Sequence, residues 1–486
     1  MKNLKKLTIL HSNDMHGDFL AENVNDVLTG GVSRLSGYIQ KVRREEKNVI
    51  YAIAGDMFRG SLIDSEYKGL STVEMVNMLG PDVVTLGNHE TDYGLAHLLF
   101  IEKCARFPII NANLYITMNQ KRLFNSHIIK EIDGMKILVI GVLTEEVLNA
   151  TRRDKVIGSI VDVAEAAQEV GKICNAYKTE DIDFTVILTH IGIEADKELA
   201  RALDPQWGVD VIIGGHSHTY LEKPVEIAGI PIVQAACGTD QIGRFDIMID
   251  TDNNCIDSYS WQLIPINEKN CPRDMVLEQV LARYKGETDK KYLTVISRMA
   301  DCYTHPVRNR STALGMLLAD IFKESLKVDM MLLGSGAIRR EYMGPVVTKQ
   351  DILEVMPYKE AVSRLVVTGA QIKHMVEFSL RFQPGSRSED YQYSKGMKVK
   401  YDTVNHKLVS FLFEGKEIQD EDVYTLGLQD FHICNIKKFL DVTLEELSGI
   451  KKPKLICTNT SDVLEEYFLT HEHIKAPEEE RLTLIM

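Results

Sequence analysis

Five short polar clusters in the first half of the chain carry residue types that bind divalent metals: Asp14-x-His16, Asp56, Asn88-His89, His190 and His216-x-His218. Together they offer two carboxylates, an amide and several imidazoles. Oxygen and imidazole ligands without thiolate suit Mn, Zn, Fe or Co and exclude a cysteine-based structural zinc site. A carboxylate with two free oxygens can bridge two ions ~3.5–4 Å apart, the arrangement used for in-line displacement at phosphorus. Asp56 is the candidate bridge. An x-Asp-x-His or His-x-His at a strand end is expected to put both side chains on one side of the backbone, because side chains alternate with period two. Glycines at 55, 87, 214 and 215 would let the turns approach the ions without a Cβ in the way.

These clusters need elements to position them. Each follows a short apolar, β-branched run that reads as a strand: 7–10, 49–54, 83–86, 184–188 and 209–213. Between them lie helical patterns, such as 163–177 with Ala164, Ala167, Val170 and Cys174 at helical spacing. Alternating strands and helices predict a layered α/β architecture, in which ligands bind outside the carboxyl ends of the strands. All five clusters occupy that position, so one shared site is expected.

Around 265–300 the pattern becomes charged and loses its strand character. The domains are therefore placed at 1–265 and 301–486 with a linker at 266–300; a chain of 486 residues exceeds one core in any case. The second domain reads as α+β. Ser311-Thr312 caps a helix with Leu314, Leu317, Leu318, Ile321 and Phe322 as its apolar stripe, another helix carries Ile372, Met375, Val376 and Leu380, and strands surround 365–368, 397–401 and 423–428.

Acidic residues outnumber basic ones, 70 to 56, for a formal charge of -14. No basic field would draw in a nucleic acid duplex, and a small anionic substrate would need local cations such as metal ions or arginines. The basic start Met1–Lys6 is followed by too short an apolar run for a signal peptide, and no segment approaches the ~18 apolar residues of a membrane span. The eight cysteines form no CxxC pair. A cytoplasmic location with no membrane partner is expected.

The blocks Asn13-Asp14-x-His16-Gly17, Gly55-Asp56-x4-Ser61, Gly87-Asn88-His89-Glu90-x-Asp92, Thr189-His190 and Gly215-His216-Ser217-His218 resemble the metallophosphoesterase signature. With the second domain, the chain is similar to the 5′-nucleotidase family, which includes bacterial UDP-sugar hydrolases. The resemblance implies a β-sandwich flanked by helices and a substrate-binding C-terminal domain. It also implies two divalent ions, one held by Asp14, His16, Asp56 and His218 and the other by Asp56, Asn88, His190 and His216. His89 would stand over the phosphoryl group with Asp92 orienting it; a carboxylate three residues on can favour the imidazolium, which stabilises developing negative charge. His218 stands where some relatives have Gln or Asn, and Thr91 replaces an aromatic, for which local repacking is expected.

In the second domain, the resemblance makes Arg308, Arg310 and Arg339 phosphate-binding residues, Arg339 ending a glycine-rich turn from Gly334. It makes Tyr358, in Met356-Pro357-Tyr358, and Phe431 the rings that sandwich a base. Two positions depart from the pattern: the Gly-Gly-Asp stretch expected after Phe431 is absent, and Gly334 replaces an Asn. Ser335-Gly336 is no nucleophile elbow, and His471-x-His473 reads as a solvated pair.

The expected function is metal-dependent hydrolysis of a nucleotide phosphate ester by a 5′-nucleotidase-like phosphomonoesterase. A 2′,3′-cyclic nucleotide phosphodiesterase or nucleotide-sugar pyrophosphatase is the enzyme alternative, because the same two-metal site serves either leaving group. A non-catalytic nucleotide-binding protein is the alternative of another class.

Overall fold

The computed structural model describes residues 2–116, 119, 121–144, 157–160, 163–358, 360–381 and 390–485, with backbone alone at 157–160 and 163–164. The chain divides into two compact units, Met1–Thr288 and Asp289–Met486.

The first unit is built on two six-stranded sheets. One runs in the order Cys255–Pro265, Gln241–Asp250, Leu4–Ser12, Val49–Ala54, Val83–Thr85, Ile109–Ile110. The other runs Val225–Ile227, Ile230–Val233, Val211–Ile213, Phe184–His190, Met135–Leu143, His127–Ile132. The strands expected from the apolar runs are all present, and those that carry the polar clusters are paired in parallel. Their residues are buried on both faces, as near-continuous apolar runs require. Leu7, Ile9, Val186 and Leu188 fill the core between the sheets, whereas Leu10 and Ile53 enter the core beneath the helices Val32–Glu45 and Leu70–Leu79. Val163–Ala176 and Ile193–Ala202 cover the second sheet through Val170, Ile173 and Leu199. This is the helix-flanked β-sandwich that the resemblance implied.

The charged stretch expected as a linker contains the helix Met275–Tyr292, and the division between units falls inside it. Leu277, Leu281 and Tyr284, at helical spacing, belong to the first unit's core. Charged residues interleaved with the apolar ones, as in Lys285-Gly286-Glu287-Thr288-Asp289-Lys290-Lys291, hide that stripe.

The second unit is α+β. Its five-stranded sheet has the order Tyr391–Tyr393, Met330–Gly334, Val423–Gln429, Val362–Thr368, Lys454–Cys457, and a four-stranded sheet runs Lys416–Glu417, Lys407–Phe413, Met397–Asp402, Leu482–Ile485. Thr312 caps the helix Ala313–Leu326 by accepting the Gly315 N–H, and the expected stripe from Leu314 to Phe322 is buried. Thr368 and Gln371 form a capping box on Gly369–Ser379.

One buried ion pair ties the end of the chain into this unit. Arg481, 1% exposed, makes two bonds of 2.6 and 2.8 Å to Asp320 and donates to the Tyr393 carbonyl. Removing one partner of such a pair costs more than replacing both charges with apolar side chains, because it leaves the other charge uncompensated. Asp320→Ala should therefore destabilise the protein by about 3–5 kcal/mol, and the double change Asp320→Ala with Arg481→Met by clearly less, in urea unfolding; equal losses would show that the pair contributes through packing alone.

Candidate active site

The polar clusters meet where the two sheets present the carboxyl ends of their parallel strands. The side chains converge through backbone geometry that strand alternation does not supply. The strand Leu4–Ser12 ends before Asp14, and Asp14, His16, Asp56, His216 and His218 all have positive φ, at 50, 50, 52, 80 and 52°. The expected alternation is thus replaced by left-handed residues in the loops. Each such residue costs a side-chain-bearing residue ~1–3 kcal/mol and persists only where contacts over-determine it. Here the Asp14, His16 and Gly17 N–H groups donate to the carbonyls of Gly55, Asp56 and Met57. The His216 N–H donates to Asp14 Oδ2 at 2.9 Å.

Asp56 is 2% exposed. Its Oδ1 accepts the His89 N–H at 2.9 Å, and its Oδ2 lies 3.1 Å from His190 Nε2. Burial would raise its pKa, but the adjacent imidazole of His190 and the His89 N–H outweigh this and hold it at about 2. Burial likewise opposes protonation of His190, yet Asp56 and Asp14 push it up to about 9. Gly87 is needed for the approach of the loops: a Cβ there would stand 2.1 Å from Asp56 Oδ1. The obstruction would fall on the carboxylate itself, rather than on an ion as the sequence suggested.

Three groups of side chains place ligand atoms within 4.8 Å of one another: Asp14, His16 and His218; His16, Asp56 and His89; and Asp56, His190 and His216. The donor set fits divalent cations. His190 Nδ1 donates to the Ala54 carbonyl, so its fully buried Nε2, which faces Asp56 without a well-formed hydrogen bond, is the atom left to ligate. His16 Nδ1 donates to the Phe58 carbonyl, so its Nε2 presents a lone pair, 3.0 Å from His218 Nε2. Asp14 Oδ1 lies 3.4 Å from the same His218 atom. Asn88 Oδ1 lies 2.9 Å from His216 Nδ1.

His89 Nδ1 donates to Asp92 Oδ2 at 2.6 Å, and that bond outweighs burial to raise the imidazole's pKa. Thr91, where an aromatic was expected, is buried and donates to the Asn88 carbonyl at 2.9 Å.

Sequence reasoning missed Glu90, although it stands in the motif. It is buried, and its carboxylate accepts the N–H groups of Asp56 (3.0 Å), Met57 (2.7 Å) and Gly87, clamping the two loops that carry Asp56 and Asn88. Burial, together with Asp56, pushes its pKa up to about 7. The only signal was an acidic residue directly after Asn88-His89, and its inward aim depends on the fold.

In the second unit, the candidate substrate residues gather at one end of the five-stranded sheet. Met330–Gly334 and Val423–Gln429 are parallel, and Val362–Thr368 runs against them, so Arg339, Phe431 and Tyr358 all flank the same end. Gln392, which the sequence did not single out, donates to the Arg310 carbonyl at 2.8 Å and to Ser335 Oγ at 2.8 Å, and Ser335 Oγ donates to the Arg308 carbonyl. Ser335 is therefore structural. Glu360 joins the two aromatic segments: its carboxylate accepts the Phe431 N–H and Gln429 Nε2. Tyr358 and Phe431 are 48% and 53% exposed, unusual for packing rings, and the Arg339 guanidinium lies 5.9 Å over the Tyr358 ring. The two departures from the family pattern are one change. A Cβ at Gly334 would stand 2.2 Å from His432 Cε1, so the missing Asn side chain makes room for the imidazole that follows Phe431. His471 stacks on Tyr467 at 4.0 Å, outside any ligand group among the described residues.

The calcineurin-like phosphoesterase model matches residues 7–220, and the 5′-nucleotidase C-terminal domain model matches residues 286–439. The chain belongs to the 5′-nucleotidase family of metallophosphoesterases. Membership makes it a metal-dependent phosphoester hydrolase. It is 26% identical to mouse 5′-nucleotidase over 450 residues, covering 83% of this chain and 76% of that one. It is 27% identical to the Bacillus subtilis trifunctional nucleotide phosphoesterase protein YfkN, over 87% of this chain and 31% of the relative. The fold is shared with the 5′-nucleotidase precursor from Thermus thermophilus (TM-score 0.66, 22% identity, 99% of each chain). It is shared as well with Haemophilus influenzae NAD nucleotidase (TM-score 0.59, 19% identity, 99% and 100% of the chains).

Asp56→Asn removes the charge common to two of the three ligand groups. It should weaken divalent-metal binding by at least about 10-fold, the lower end of what even an outer-shell change costs. Unchanged metal content by elemental analysis would show that Asp56 is not a shared ligand.

Proposed function

We propose that the protein is a 5′-nucleotidase-like phosphomonoesterase that hydrolyses a nucleotide phosphate ester at a centre of two divalent ions. The observation that carries this reading is Asp56, shared between two ligand groups, with the His89–Asp92 pair beside it. Asp14, His16, Asp56 and His218 would hold one ion, and Asp56, Asn88, His190 and His216 the other. When bound, such ions supply positive charge at the phosphoryl oxygens and a nucleophile generated from water. Asp92 keeps the proton on His89 Nδ1 and favours the imidazolium, which stabilises the negative charge that builds on the phosphoryl group. Arg308, Arg310 and Arg339 would bind the substrate's phosphate, and Tyr358 and Phe431 its base.

A nucleotide substrate draws support from the exposed rings and from the names of the relatives, a mouse 5′-nucleotidase and a nucleotide phosphoesterase of B. subtilis. A cyclic-nucleotide phosphodiesterase or nucleotide-sugar pyrophosphatase is the second reading. It is favoured by the Gly334–His432 exchange and the absent Gly-Gly-Asp stretch, which alter the segment after Phe431 where sugar recognition was expected. A purely binding role would not need the assembled His89–Asp92 pair. We also propose a reducing, cytoplasmic compartment, in which eight free thiols would persist.

The reading is tested by assaying metal-reconstituted protein against nucleoside monophosphates, cyclic nucleotides, nucleotide sugars and p-nitrophenyl phosphate. Preference for a monophosphate is expected; preference for a diester or pyrophosphate would select the second reading. Tyr358→Ala should lower kcat/KM for the preferred nucleotide roughly 5- to 100-fold, the equivalent of about 1–3 kcal/mol of stacking, and change p-nitrophenyl phosphate turnover much less. Equal losses on both would make Tyr358 a packing residue. His89 must be protonated to act, so activity should fall as pH rises through its raised pKa. Asp92→Asn removes the carboxylate charge from the partner that raises that pKa, and the alkaline limb of the pH profile should move to lower pH. An alkaline limb that does not move would detach His89 from the mechanism.

A further inference from the structure

The loop that carries Asp56 also carries Arg59, which the metal ligands and the His89–Asp92 pair leave unexplained. Arg59 has a φ of 66°, a left-handed conformation held by its surroundings. Its N–H donates to Asp64 Oδ2 at 2.8 Å, and Asp64 is itself buried and bonded to Thr72. On either side, the Phe58 carbonyl accepts from His16, and a Cβ at Gly60 would stand 2.3 Å from the His16 carbonyl oxygen. The loop is fixed against His16, and this aims the Arg59 side chain at Asp92. Its Nη1 donates to Asp92 Oδ2, the oxygen that also accepts from His89 Nδ1.

Two basic groups therefore share one carboxylate oxygen. Orienting His89 requires only Asp92. A guanidinium is a cation with five N–H donors in a planar fork. Asp92 neutralises one unit of positive charge and takes a single guanidinium nitrogen. Unused guanidinium donors thus remain beside His89, whose ligand atom lies within 4.8 Å of those of Asp56 and His16. The Arg59 side chain is 55% exposed, so these donors face solvent rather than core. A planar fork of donors matches phosphate oxygens better than any other side chain.

We propose that Arg59 contacts the reacting phosphoryl group and selects for its second negative charge, favouring phosphomonoester dianions over phosphodiester monoanions. The inference rests on the phosphoester-hydrolase activity of this site and is independent of whether the substrate is a nucleotide. A residue that acted only by positioning Asp92 would serve both ester classes equally, because His89 faces the phosphoryl group of either.

The test uses the full, metal-loaded chain with Arg59→Gln and Arg59→Lys, p-nitrophenyl phosphate and bis(p-nitrophenyl) phosphate as substrates, and calorimetric titration with inorganic phosphate and dimethyl phosphate. Arg59→Gln should lower kcat/KM for the monoester roughly 10- to 100-fold and for the diester less than about threefold, with a matching loss in affinity for inorganic phosphate and little change for dimethyl phosphate. Arg59→Lys, which keeps the charge and loses the fork, should recover part of the loss. Equal losses on both esters with unchanged phosphate affinity would overturn the proposal in favour of a positioning role, and no loss on either would overturn it outright. Should the diester not be turned over at all, the two titrations decide alone. A wild-type protein that ignores nucleotides but shows this Arg59 dependence on p-nitrophenyl esters would remove the nucleotide reading and leave this inference standing.

Discussion

Two carboxylates without solvent, Asp14 at 0% and Asp56 at 2% exposure, stand a few ångströms apart at the mouth of the sandwich, with the buried Glu90 behind them. Concentrating that much acid in a low-dielectric interior is sustainable only with compensating positive charge and donated N–H groups. The surrounding structure is arranged to provide both. Backbone N–H groups of His89 and His216 point at the two carboxylates, and those of Asp56, Met57 and Gly87 at Glu90. Imidazoles from the second sheet close the site. The five left-handed residues follow from the same demand, since a loop that must bring carboxylate and imidazole to a common centre within a few residues cannot stay extended. Both sheets contribute, so the packing of the sandwich sets the spacing of the ligands.

The second unit solves a different problem, holding exposed groups in place without burying them. Tyr358, Phe431 and Arg339 project from the end of a sheet whose strand ends fix the backbone beneath them. The hydrogen bonds from Glu360 and Gln392 run through backbone atoms of the candidate residues, which leaves the guanidinium and ring faces available to a ligand. His432 packs against Phe431 in an edge-on contact at 5.3 Å and fills the space above Gly334. An Asn at 334 and an imidazole at 432 could not coexist in this geometry. The two residues form a single steric unit, and exchanging one alone would create a cavity or a clash.

The local pattern determined a good deal. Short runs of four to six residues rich in apolar and β-branched types specified the strands, helical spacing specified Val163–Ala176 and Ala313–Leu326, and the order and spacing of the five polar blocks specified the phosphoesterase half. These features are legible because they depend on periodicity and on residues close together in the chain. The charged composition of 266–300 concealed the apolar stripe of Met275–Tyr292, because the few core-facing residues were outnumbered by solvated ones. Tertiary structure alone decided the rest. It gave the direction of the ligand side chains, set by the sign of φ and not by strand alternation, and the inward turn of Glu90. It also brought Arg59 onto the carboxylate of Asp92, paired Gly334 with His432, and joined the two aromatic segments through Glu360. Each of these depends on contacts between residues from about 30 to 200 positions apart, or on a backbone conformation that only such contacts can hold, and sequence spacing carries no record of either.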